Sequence, residues 1–103
     1  MVIWKFELRI TEVQEVLMPA GAELLSVADQ HGNLCLWAMV DPSEHHQPRV
    51  IEIVGTGNPM QSRTDVELNS SNTVTESGAR IERKFIGTVV MNPFVWHVFE
   101  RLN

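Results

Sequence analysis

The stretch IVGTGNPM, residues 53–60, holds the residue types with the widest chemical scope in this chain. Consecutive backbone N–H groups at Gly55, Thr56, Gly57 and Asn58 would form a nest for an anion, and the Thr56 and Asn58 side chains would add donors. It is not a P-loop: GxxxxGK[ST] is absent, and no lysine follows Gly57 before Lys84. Arg49 opens the apolar run that ends at Gly55, while Arg80, Arg83 and Lys84 stand before the run FIGTVV. If the strands carrying them are neighbours, Arg49, Arg80 or Arg83 would hold one anionic group against the 55–58 turn by bidentate hydrogen bonds. Trp96 would then offer a ring face for a base. The competing reading is that Gly55 and Gly87 mark strand bends or bulges. The arginines would then neutralise acids such as Glu52 and Glu82 on a solvated face, which is the commoner use.

Histidines, a serine and an acid form the second group. His31 falls in a turn, His45 and His46 lie in a loop bracketed by Pro42 and Pro48, and His97 belongs to the last apolar run. Adjacent histidines point apart on an extended backbone, and no cysteine or carboxylate stands at a standard zinc spacing, so no metal is assigned. His97 reads as a packed strand histidine with one hydrogen-bonded nitrogen. Asp41, Ser43 and His45 share one loop, yet residues so close in sequence rarely reach the chained geometry of a triad. Asp41-Pro42-Ser43 suits a type I turn instead. The lone Cys35, inside LCLWAMV, excludes an intrachain disulfide and a thiolate cluster and reads as an inert buried thiol. No catalytic site and no cofactor are assigned, and a non-enzymatic protein is expected.

The elements that would position these residues are strands. Trp4, Phe6, Leu8 and Ile10 alternate with Lys5, Glu7 and Arg9, which makes residues 2–10 a half-buried strand. Residues 13–18 form a weaker strand ending at Pro19, whose missing N–H cannot continue a ladder. Residues 23–28 follow a Pro19-Ala20-Gly21 turn, and DQHGN, residues 29–33, has hairpin chemistry because Gly32 and Asn33 tolerate positive φ. Residues 34–40 carry no charge and read as a central strand, and DPSEHHQP, residues 41–48, as a polar loop. Residues 49–54 place Ile51 and Ile53 inward and Glu52 outward. Residues 61–80 are polar, with Val66, Leu68 and Val74 as scattered apolar positions, and a long flexible loop is expected there. Residues 81–91 and 94–100 make two last strands around Asn92-Pro93. With no 3.6-residue apolar period, the chain is expected to be all-β, a compact antiparallel sandwich or small barrel of about seven short strands.

At 103 residues there is room for one domain, so 1–103 reads as a single β domain. The charged positions of MVIWKFELRI exclude the apolar h-region of a secretory signal, and no run has the length of a membrane span. A soluble cytoplasmic protein without a membrane partner is expected. The net charge of −5 argues against extended nucleic acid, whose binders present a basic field. Open sheet edges invite pairing with another copy, so a homo-oligomer is expected.

Taken together, IWKFELRI, VLMPAGAELLSV, CLWAMVDP, IVGTGNP, FIGTVV and FVWHVFE resemble a small phage-encoded family of unknown function, over nearly the whole chain except residues 61–80. The resemblance implies no catalytic residues. It implies a setting, the cytoplasm of an infected bacterial host, and a counter-defence protein that acts by binding. Two partners compete, and the first is the expected one. One is a nucleotide-derived immune signal, sequestered in a pocket between copies, with Arg49, Thr56, Asn58 and Arg83 on phosphate and an aromatic on the base. The other is a host defence protein, covered by the acidic surface or the long 61–80 loop, as anti-CRISPR proteins and other defence inhibitors do. A virion or assembly accessory protein is a third reading.

Overall fold

Apolar alternation and Gly or Pro turns divide the chain into strands, which the computed structural model describes over residues 1–60 and 81–103. They are β1 (Val2–Glu7), β2 (Val13–Pro19), β3 (Glu23–Gln30), β4 (Asn33–Val40), β5 (His46–Gly55), β6 (Arg83–Met91) and β7 (Phe94–Arg101). Two antiparallel sheets form, in the orders β1-β4-β3 and β2-β5-β7-β6. They remain separate and face each other, so the fold is sandwich-like and not a closed barrel, with no helix among the described residues. The expected 61–80 loop lies outside the described residues.

The core follows from the two-residue period. In β4, Leu34, Leu36, Ala38 and Val40 are all buried on one face, opposite Ile51 and Ile53 of β5 and Val98 of β7. Full burial of each large aliphatic side chain contributes about 1.5–3 kcal/mol. Cys35 is buried on the other face of β4, as an apolar run without charge allows. On one side the sandwich is pinched shut. A Cβ placed on Gly87 would lie 2.9 Å from Val27 Cγ2, so the bare glycine lets β3 approach β6 where the β6–β7 register shifts.

Three expectations are corrected. The first strand ends at Glu7, with one further rung from Leu8 N–H to Leu34 O at 2.8 Å, and does not reach Ile10, because Gln14 binds both backbone groups of Arg9. The β3–β4 turn takes its positive φ at His31 (54°) and Gly32 (86°), and Asn33 instead closes the ladder against Gln30. This is the twist-matched two-residue turn. Residues 46–48 are strand and not loop, despite Pro48. Pro48 directs its nitrogen away from β2, and β7 begins pairing with β5 only at Val50, so no ladder donor is lost.

Candidate functional site

The 55–58 turn and Trp96 come together at one end of the four-stranded sheet. Gly55 pairs with Trp96, and a Cβ on Gly55 would meet Trp96 Cζ3 at 3.1 Å and Asn58 Nδ2 at 2.8 Å. Only glycine admits the indole that close. The ring stacks on Phe94 with centroids 5.4 Å apart and planes 26° apart. The turn itself is closed: Asn58 N–H donates to Gly55 O at 3.0 Å, Thr56 N–H donates to Val95 O at 3.2 Å, and Gly57 adopts φ 86°. Two of the four N–H groups expected in an anion nest are therefore spent on backbone carbonyls.

The arginines do not join them. Arg49 is six residues from Gly55 along β5, about 20 Å at strand rise. β7 stands between β5 and β6, so Arg83 aligns with Arg101 rather than with the turn. Arg49 forms a bidentate pair with Glu100, Nε to Oε2 at 2.5 Å and Nη2 to Oε1 at 3.1 Å, and Nη1 donates to Ala22 O at 2.8 Å. Arg83 and Arg101 both donate to the Glu52 carboxylate, whose side chain is 7% exposed. Arg80 lies outside the described residues. Arg49 and Arg83, proposed for an anionic ligand, thus serve carboxylates; Glu52 is an arginine partner as expected, but it is buried rather than on a solvated face.

Beside Gly55 the surface opens into a cleft of about 400 Å³. It exists because β2 ends its pairing at Val13 opposite Glu52, while β5 runs on to Gly55. Ile10, Val13, Val54, Met60 and Trp96 make its walls apolar, and Glu12 adds an exposed carboxylate at the rim. The Ile10 to Val13 wall is held by Gln14, which sequence reasoning passed over. Its buried amide donates to Arg9 O at 2.6 Å and Thr11 Oγ1 at 3.1 Å, and accepts from Arg9 N–H at 3.1 Å. The signal was present: Gln14 occupies the inward phase shared with Val16 and Met18. The volume falls in the range of ligand pockets, and the lining suits an apolar or cationic group better than a phosphate.

Two other expected groupings resolve as local structure. His97 binds through both ring nitrogens, Nε2 to Thr56 Oγ1 at 2.7 Å and Nδ1 to Thr88 Oγ1 at 3.0 Å, where one bond was expected. Asp41 Oδ1 accepts from Ser43 Oγ at 2.7 Å and Ser43 N–H at 3.0 Å, and Glu44 N–H donates to Asp41 O at 3.0 Å. The Ser43 hydroxyl and then its N–H hold the Asp41 carboxyl below its ordinary pKa. This is turn geometry; His45 Nε2 lies instead 3.1 Å from Gln47 Nε2.

A family model described as Domain of unknown function (DUF7352) matches residues 1–103. No curated protein and no solved structure matches the chain.

Proposed function

The chain belongs to the DUF7352 family of domains of unknown function, and from its site we propose that it acts by binding a protein, without catalysis. One observation carries this reading: the cleft beside Gly55 is apolar with an acidic rim, while Arg49, Arg83 and Arg101 are paired with Glu100 and Glu52. An apolar or basic feature of a protein surface fits that chemistry, and the net charge of −5 favours a basic partner. In the phage setting that the resemblance implies, the protein is a counter-defence inhibitor that covers a host defence protein in the bacterial cytoplasm.

Sequestration of a nucleotide-derived signal keeps one observation in its favour, because Gly55, Asn58 and Trp96 all line the same cleft and offer a ring contact. Its phosphate would have to draw on an arginine already bonded to Glu52 or Glu100, and taking Arg49 would leave the Glu100 carboxylate buried without its arginine.

Native mass spectrometry of the protein purified from phage-infected bacteria separates the two. A bound polypeptide is expected, lost at least tenfold in a Val13→Arg variant with unchanged far-ultraviolet circular dichroism. A small phosphorylated mass in fixed ratio to protomers would sink the protein-binding reading.

A further inference from the structure

The floor of the cleft is a piece of open strand edge. Successive residues of a strand turn their N–H and C=O groups to opposite neighbours. In β5 the parity is set by three bonds. Ile53 N–H donates to Glu12 O at 3.1 Å and His45 O accepts from Ala20 N–H at 2.8 Å, both on the β2 side. Thr56 N–H donates to Val95 O on the β7 side. The odd-numbered residues of β5 therefore address β2, whose assigned pairs begin at Val13 and whose last bond to this edge is the one from Ile53 N–H to Glu12 O. Gly55 O is taken by Asn58. What remains, among the described residues, is the Ile53 carbonyl and the Gly55 N–H, one acceptor and one donor directed at the cleft with no partner.

We propose that this step in the sheet receives an extended segment of a partner polypeptide, which continues the line of β2 beside β5. Its backbone N–H donates to Ile53 O and its C=O accepts from Gly55 N–H. Main-chain bonds of this kind supply affinity, and alternate side chains supply selectivity. Here one side chain of the segment enters the space between Val13, Met60 and Trp96, and a lysine or arginine meets Glu12 at the rim. Charge complementarity selects the occupant: Glu12 lines the step, and the cation of the described residues in the cleft wall, Arg101, is bonded to Glu52. The proposal rests on the protein-binding reading above and names the form in which the partner presents itself.

The test uses the full chain labelled with ¹⁵N and a panel of capped seven-residue peptides of alternating valine and threonine, with lysine, serine or glutamate at one position. The lysine peptides are expected to shift the Ile53, Val54 and Gly55 amide signals and to slow Gly55 hydrogen exchange at least tenfold. Glutamate in that position should weaken binding at least tenfold, Glu12→Lys should reverse the preference, and N-methylation of the peptide residue that donates to Ile53 O should abolish binding. Failure of every peptide to perturb Gly55 at millimolar concentration overturns the proposal, as does a concentration-dependent Gly55 shift without peptide, which would make the occupant a second copy. If a host polypeptide is captured yet Gly55 exchange in that complex is unchanged, the strand proposal falls while the protein-binding reading stands. If no polypeptide binds by either measurement, both fall.

Discussion

Glu100 and Arg49 face each other between the sheets, with side chains 6% and 22% exposed. Removing one member of such a pair leaves the other desolvated and uncompensated, whereas replacing both by apolar groups restores a neutral interior. Arg49→Ala is therefore expected to lose about 2–3 kcal/mol, less than a fully buried pair because the guanidinium keeps some water. The double variant Arg49→Met with Glu100→Leu should regain most of that loss. Urea unfolding with an unchanged m-value reads both, and an Arg49→Ala variant within about 0.5 kcal/mol of the parent would refute the structural role assigned to this arginine. The sequence makes Glu52 visible as an outward acid among inward isoleucines, so a partner for Arg83 can be named from it. The partner of Arg49 lies 51 residues away, and only the placement of β7 beside β5 brings it there.

At the scale of elements, period-two alternation marks the half-buried strands and an uncharged apolar run marks β4, buried at Cys35 on its second face as well. Neither signal exposes where pairing stops. Pro48 reads as a strand breaker, yet at the end of β5 its nitrogen has no ladder partner to lose. β2 looks weak on its own, and its early end at Val13, which creates the cleft, depends on Gln14 bending residues 9–11 away. The closure of β3 on β6 is equally hidden, since it depends on an absent side chain. Gly87→Ala must displace Val27 Cγ2, part of a short branched side chain whose χ1 is restricted. A loss of about 1–3 kcal/mol is expected. Val27→Ala should cost less in the Gly87→Ala background than in the parent. A double-mutant cycle in chemical denaturation measures this; additivity within about 0.3 kcal/mol would mean that the two residues do not limit the approach of the sheets.

For the whole molecule, the pinching of β3 onto β6 leaves β1 and β2 as the edges of the opposite side. An open edge templates further strands unless charges or proline interrupt it. β1 carries Lys5 and Glu7, whereas β2 carries one charge, Glu15, between exposed Val13 (46%) and Leu17 (62%), and ends in Pro19. Glu15 is thus the residue expected to oppose pairing of the β2 edge with another β2, and the expectation of self-association turns on it. In an antiparallel β2 pair centred on Val16, Glu15 of one copy faces Leu17 of the other, so each carboxylate would lose water against an apolar side chain. Glu15→Val removes that penalty at both positions and should move the onset of dimerisation, seen by sedimentation velocity, to at least tenfold lower protein concentration. Glu15→Lys, which keeps a charge at the same position, should not. Equal behaviour of the two variants would place any self-association elsewhere, at β1 or on the outer faces, and would leave the β2 edge and the cleft beside it to a different polypeptide.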